Sequence, residues 1–276
     1  MSRQRSDTSN GSQRDLSGYS QSLERGLAIL SSFSPARPLL GISELARAVE
    51  LSRSTAHRYV ATLAELRYLE QDPVTRKYRL GPRVLDLGFS AINSMELREI
   101  AAPHLQQLSD STGHTVNMGV LDGVDIVYIE RCRSSQVGQR EIDLNLHVGS
   151  RLPAYCTALG KVLLAFLPEE QRCGLVDRVE FVQRGPNTVT GRTALLSELA
   201  EIRVRGVAVN NEELAYGLRS IAVPVRSQAG EAVAAINMAV HRSMMSMEDL
   251  VDRLSPALER TASEVSARLG HRPALA

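Results

Sequence analysis

The chain contains no tryptophan, and aromatic residues fill only 4% of its 276 positions. Proteins that hold single-stranded nucleic acid stack its bases on aromatic rings, so that mode of binding is poorly supplied here. Lysine is almost missing too: Lys77 and Lys161 are the two lysines, and arginine supplies the rest of the basic charge. The three cysteines, Cys132, Cys156 and Cys173, form no CxxC pair. An odd number without that spacing supports neither a disulfide framework nor a zinc site, and the three read as small buried apolar residues. No stretch approaches the ~18 consecutive apolar residues of a membrane-spanning helix, so no membrane partner is expected. The opening MSRQRSDTSNGSQRDLSG lacks the apolar core of a secretory signal. Residues 1–18 are therefore expected to form a disordered tail, and the protein to be cytoplasmic.

Catalytic signatures are missing as well. There is no GxGxxG. The LGKV at 159–162 fails as a phosphate loop, because Tyr155 stands where the first glycine belongs and Val162 where a serine or threonine belongs. The histidines at 57, 104, 114, 147, 241 and 271 show neither HxxxH nor HExxH spacing. Cys156 lies near a predicted helix start, where a thiol can become reactive, but no histidine is its neighbour in sequence and it reads as a packing residue. No catalytic residue, no cofactor and no metal are expected.

What is present is an ordinary globular composition, 43% apolar and 23% charged, in a chain long enough for two domains of roughly 100–150 residues. The net charge of +1 hides an asymmetry. The first 80 residues hold 12 Lys+Arg against 8 Asp+Glu, and the remainder holds 20 against 23. A basic first third joined to a slightly acidic remainder fits a nucleic-acid-binding module attached to a second domain.

Within YSQSLERGLAILSSF, Leu23, Leu27 and Leu30 fall on one face of a predicted helix, which Ile29 and Phe33 extend. Then ISELARAV (42–49) predicts a short helix with Ser43 as N-cap. After a tight turn, SRSTAHRYVATLAEL predicts a second helix capped by Ser52, with Ala56, Val60 and Leu63 on its buried face. The small Ala46 and Ala56 let two helices cross closely. This is a helix-turn-helix. Its second helix presents Arg53, Ser54, His57 and Arg58 on the open face, with Thr55 beside them, and these side-chain types bond to base edges and phosphates. Two short strands, 68–71 and 77–80, flank a DPVT turn crowded by Arg76, Lys77 and Arg79, and make a basic wing. The expected partner is double-stranded operator DNA.

From Pro82 a linker helix is expected, with Leu85, Phe89 and Ile92 in a stripe that suits either packing on its own module or, as palindromic operators favour, a dimer seam. Beyond it, LREIAAPHLQQLSDST predicts a helix closed by Gly113. Asp122-Gly123 predicts a hairpin turn, further strands are expected near 142–148, 206–210, 220–225 and 231–240, and helices at 156–167, 168–177, 192–205 and 246–269. The fold class is α+β, with a mostly antiparallel sheet in the second domain. There, Pro153 leads into a helix whose first-turn amides could hold a carboxylate. Arg151, Tyr155 and Thr157 stand beside it, NNEELAYGLRS (210–220) is a candidate opposite wall, and Asn237 is a polar residue inside the apolar run AVAAINMAV. A small organic anion is the ligand class these residues suggest, although Asn237 also reads as a simple backbone-bonding strand residue.

SLERGLAIL, ISELARAVELSRSTAHRYVATLAELRYLEQD, YRLGPRVLDLG, VGSRLPAYCTALGKVLLA and NNEELAYGLRSIAVPV resemble, in that order, the landmarks of IclR-type bacterial transcriptional regulators across residues 19–270. Within that family the likeness is greatest to the regulators of the β-ketoadipate pathway of aromatic-acid catabolism. The resemblance implies a winged helix-turn-helix DNA-binding domain (19–81), a linker helix (82–96) and a GAF-like effector-binding domain (97–270), assembled as a homodimer or homotetramer. It also implies a small acid as effector, and carries effector-binding positions over to Ala158, Leu159, Asn210, Ser220, Asn237 and Ala239. Members commonly have aspartate where Asn210 stands and serine where Asn237 and Ala239 stand. The uncharged Asn210 shifts the expectation from a short oxo-acid to an aromatic acid such as protocatechuate or 4-hydroxybenzoate, or to β-ketoadipate. The competing classes are a regulator of another carbon source, an enzyme fused to a helix-turn-helix, and a winged helix that docks protein.

Overall fold

Apolar residues recurring at helical spacing in the first third, and alternating apolar and small or polar residues in the remainder, call for different packing, and the chain answers with two units. A computed structural model describes residues 19–93, 95–134 and 146–272, without the side chains of residues 89 and 91–93. The units divide between Ala91 and Ile92. The expected tail, residues 142–145 of an expected strand, and the Phe89 and Ile92 side chains of the linker stripe lie outside the described residues.

In the first unit, α1 (Gln21–Ser31), α2 (Ile42–Ala48) and α3 (Arg53–Glu65) precede the hairpin β1 (Leu69–Gln71) and β2 (Tyr78–Leu80), and α4 (Arg83–Asn93) follows. Ile29, Leu40, Leu45, Val60, Leu69 and Tyr78 form the core. Ala46 and Ala56 are both buried, and the α2–α3 turn closes when Leu51 N donates to Ala46 O. Leu40 exchanges two backbone bonds with Tyr78, laying a third extended segment beside the wing. Asp72 shapes the wing turn, its Oδ1 accepting from Val74 N and Thr75 N.

Two expectations change here. The α1 stripe is split: Ile29 is buried, whereas Leu23 and Leu27 are 63% and 55% exposed. A helix packed along one side can bury only one arc of its surface, and α1 turns Ile29 inward. Helix α2 starts two residues earlier than a Ser43 cap requires. Gly41 is the N-cap, and the Glu44 carboxylate accepts from Gly41 N at 2.8 Å, so a side chain of the first turn satisfies the donor in place of Ser43.

The second unit runs α5 (Glu96–Thr112), β3 (Val116–Asp122), β4 (Asp125–Cys132), β5 (Arg151–Pro153), a one-turn 3-10 helix (Ala154–Cys156), α6 (Ala158–Phe166), α7 (Glu169–Val176), α8 (Arg192–Arg205), β6 (Ala208–Asn211), β7 (Leu218–Arg226), β8 (Ala232–His241) and α9 (Met247–Arg268). Its six strands form one antiparallel sheet in the order β5-β4-β3-β8-β7-β6. Alternation along the strands sorts two cores. Val116, Met118, Ile221, Val223, Ile236 and Met238 face α5 and α9. The small Ala222 and Ala235 face the other way, where α6 and α8 pack.

The helix expected at 156–167 is divided because Thr157 takes an extended conformation, closing the 3-10 turn and capping α6 through Gly160 N. A Cβ at Gly160 would lie 2.2 Å from the Ala154 Cα, so only glycine lets α6 sit against that turn. The strand expected from 206 begins at Ala208, because Gly206 is the left-handed C-cap of α8 with φ 78°. Of the segment expected as a strand at 142–148, the described residues 146–148 are not strand; the ladder resumes at Arg151.

Candidate functional site

Two sites emerge, one in each unit. On α3, Ser52 accepts from Thr55 N and starts the helix. Arg53, Ser54, His57, Arg58 and Ala61 are exposed on the side away from buried Ala56 and Val60, and Thr55 lies partly covered. Neither Arg53 nor Arg58 has a carboxylate partner among the described residues. On the wing the cations are paired: Lys77 Nζ lies 3.4 Å from Glu44, and Arg79 makes two bonds to Glu70 Oε2. Such exposed pairs contribute ~0–1 kcal/mol and exchange readily for a phosphate. Arg76 holds its place at the turn in the left-handed region, φ 59°, with its carbonyl accepting from Gln71.

The second site is a cavity of about 50 Å³ on the α6 side of the sheet, extending the face that carries Ala222 and Ala235. Strand register builds it. Asn117 stands opposite Arg131 on one side and Asn237 on the other, and Ser220 stands opposite Asn210 and Ala239. These residues share one face, so a polar row crosses the sheet. Arg131 Nη1 donates to Asn117 Oδ1 at 2.8 Å, and Asn117 Nδ2 donates to Asn237 Oδ1 at 2.9 Å. Thr157 and Ala158, at the start of α6, close one wall, and Leu146, Leu214, Leu218 and Tyr128 add apolar surface. The N–H groups of Ala158 and Leu159 precede the first intrahelical bond and lie at the positive end of the helix dipole.

The fold brings Thr157, Ala158, Asn210, Ser220, Asn237 and Ala239 to the cavity, as the sequence reading grouped them. It places three others elsewhere. Arg151 is held on the outer edge of the hairpin by Asp122 at 2.6 Å and Asp125 at 3.7 Å, because β5 pairs with β4 and carries it outward. Tyr155 is turned away, its hydroxyl donating to Val182 O and accepting from Val182 N. The Leu159 side chain is fully buried, toward Gly119, so only its backbone N–H is at the helix start. The sequence reading missed Thr115, Asn117, Tyr128, Arg131 and Leu146, and it took in Leu214 and Leu218 only as part of the 210–220 wall without singling them out. Thr115 and Asn117 carried a readable signal, since they alternate with the apolar Val116 and Met118.

Arg131 is the one charged side chain among the described residues that line the cavity. Burial pushes the Tyr128 phenol up to about 12 and the Cys156 thiol up to about 11. Both stay neutral near pH 7. Beneath the cavity wall, Asn210 Nδ2 donates to Cys156 O at 2.6 Å while its Oδ1 accepts from Glu213 N. This ties the start of α6 to the 210–213 segment. Glu213 and Glu198 each approach the fully buried Lys161 ammonium at 2.6 Å. One cation between two carboxylates leaves an excess negative charge, and burial raises the Glu213 carboxyl above its ordinary value.

An exposed recognition helix with an adjoining hairpin, and a sheet domain enclosing an anion-compatible cavity, define a ligand-responsive DNA-binding regulator. Residues 22–73 match the IclR helix-turn-helix domain, and residues 89–267 match the C-terminal domain of bacterial IclR transcriptional regulators. The chain belongs to the IclR family and is an IclR-type transcriptional regulator, not an enzyme. It is 34% identical over 251 residues to the Pca regulon regulatory protein of Pseudomonas putida, covering 91% of this chain and 84% of that one. It is also 34% identical over 251 residues to the transcriptional regulator XynR of Escherichia coli K12, covering 91% and 98%. The crystal structure of an IclR homolog from Microbacterium hydrocarbonoxydans, complexed with 4-hydroxybenzoate, superposes with a TM-score of 0.76 at 26% identity, covering 90% of this chain and 99% of that one. Among the described residues no helix is long and apolar enough to cross a membrane.

Proposed function

We propose that this regulator senses a small aromatic carboxylic acid at this cavity, whose walls must part to admit a ring because its volume is only about 50 Å³, and controls genes of aromatic-acid catabolism. The observation that carries the reading is the Arg131 guanidinium, held by Asn117 and facing a cavity whose described lining includes no acidic side chain. A carboxylate there gains a charge-assisted bond and the α6 amides of Ala158 and Leu159. The leucines and Tyr128 suit a ring. The relative named for the Pca regulon and the 4-hydroxybenzoate-bound homolog support the aromatic class.

Operator contact is assigned to Ser52, Arg53, Ser54, Thr55, His57 and Arg58 on α3, and to Arg76 and Lys77 on the wing. A two-fold assembly suits a palindromic operator, and the exposed Leu23 and Leu27 of α1, with Leu85 and Leu87 of α4, supply apolar surface for it. Sedimentation of the unaltered protein at micromolar concentration is expected to show a dimer or tetramer, and a monomer contradicts the assembly.

Calorimetric titration with protocatechuate, 4-hydroxybenzoate, β-ketoadipate and glyoxylate tests the effector. One of the first three binds saturably, and Arg131→Met weakens that binding roughly tenfold to hundredfold, the worth of a hydrogen bond to a charged group. Binding of glyoxylate alone contradicts the aromatic-pathway assignment. Binding of none of the four contradicts the reading as a whole.

A further inference from the structure

A second polar recess lies in the first unit, between α1 and α3, lined by Ser22, Arg25, Thr55, Arg58, Tyr59 and Thr62. Every lining side chain carries a hydrogen-bonding group, and none is acidic. Helical spacing explains its composition. Ser22 and Arg25 share the α1 face that ends in buried Ile29, and Thr55, Tyr59 and Thr62 form the flank of α3 beside the buried Ala56–Val60 edge. Two guanidiniums in one recess repel each other unless an anion joins them. Neither Arg25 nor Arg58 has a carboxylate partner among the described residues, whereas Lys77 and Arg79 on the wing each have one. The Tyr59 hydroxyl is also held below the usual phenol range, by hydrogen bonding to Ser22 and then to Arg25. The recess therefore favours negative charge.

We propose that this recess seats one backbone phosphate of DNA, clamped by Arg25 and Arg58 beside the Tyr59 hydroxyl. The inference rests on the DNA-binding reading above and adds α1 to the interface. An α3 helix lying in the major groove turns its flanks toward the phosphates that border the groove. Arg58 then reaches the backbone together with a residue outside the helix-turn-helix pair. The contact carries no sequence information and fixes register.

Salt-dependent binding to a mixed-sequence duplex, and to the intergenic DNA adjoining the protein's own gene, tests it. Each phosphate neutralised on duplex DNA contributes about 0.9 to the slope of log affinity against log salt. Arg25→Ala is expected to reduce the slope by about 0.9 per protomer on both duplexes and to weaken binding roughly tenfold, with unchanged melting temperature and effector binding. Arg25→Lys, which keeps the charge, retains the slope. Because the two arginines share one phosphate, the Arg25→Ala/Arg58→Ala double variant loses less than the two single losses combined. An Arg25→Ala variant with unaltered slope and affinity overturns the proposal, as do strictly additive losses. Failure of the unaltered protein to bind either duplex overturns the DNA-binding reading, and the phosphate seat with it.

Discussion

Asn210 shows how much one amide can decide. The family likeness casts it as an uncharged substitute for aspartate facing an acidic ligand. In the fold its donor goes to Cys156 O at 2.6 Å and its acceptor to Glu213 N at 3.2 Å, so the side chain fastens the cavity wall while lining the cavity. Asn210→Asp would replace a donor by a carboxylate oxygen against a carbonyl. The expected cost is about 1–3 kcal/mol of effector-domain stability, that of a buried group left unsatisfied. Thermal melts near pH 7 check this, and an unchanged melting temperature refutes the fastening role. Asn237 was legible as a polar residue in an apolar strand. Arg131 was not, because an arginine near a strand end looks like any solvated cation until strand register sets it opposite Asn117.

At the scale of elements, the order of the helices and of the strands other than β5 was legible because the periodicities of 3.6 and 2 are strong here, and their ends were set by single residues such as Thr157 and Gly206. Which face of α1 is covered was not legible, since Leu23, Leu27 and Ile29 are equally apolar and only tertiary packing separates them. Nor was the buried ion cluster that joins α6, α8 and the segment after β6, because Lys161, Glu198 and Glu213 are distant in sequence. Helix α6 carries an ammonium into its packed face, and breaking such a cluster from one side costs about 3–5 kcal/mol. Burial raises the Glu213 carboxyl above 4.5, the value the unfolded chain takes. Above that pH the unfolded chain has released a proton that the folded protein still holds, so stability falls as pH climbs from 4.5 toward the folded value. Glu213→Gln cannot titrate. Denaturant unfolding from about pH 4 to about pH 8 is expected to show a shallower decline for the variant. A decline as steep as that of the unaltered protein shows that Glu213 does not titrate in this window.

For the whole molecule, the account joins an acid-binding cavity in one unit to a DNA-binding surface in the other. An effector can alter operator binding only by its differential affinity for the DNA-competent and DNA-incompetent states, and that coupling is reciprocal. The Asn210 fastening and the Lys161 cluster place the start of α6 where ligand contact and domain packing meet, so occupancy can change the balance between states. The most direct measurement is fluorescence-anisotropy titration of the intergenic DNA adjoining the protein's own gene, with and without a saturating concentration of the acid that calorimetry shows to bind. The account predicts a change in DNA affinity of about fivefold or more, absent in Arg131→Met at the same acid concentration. Equal DNA affinity with and without the bound acid would contradict it.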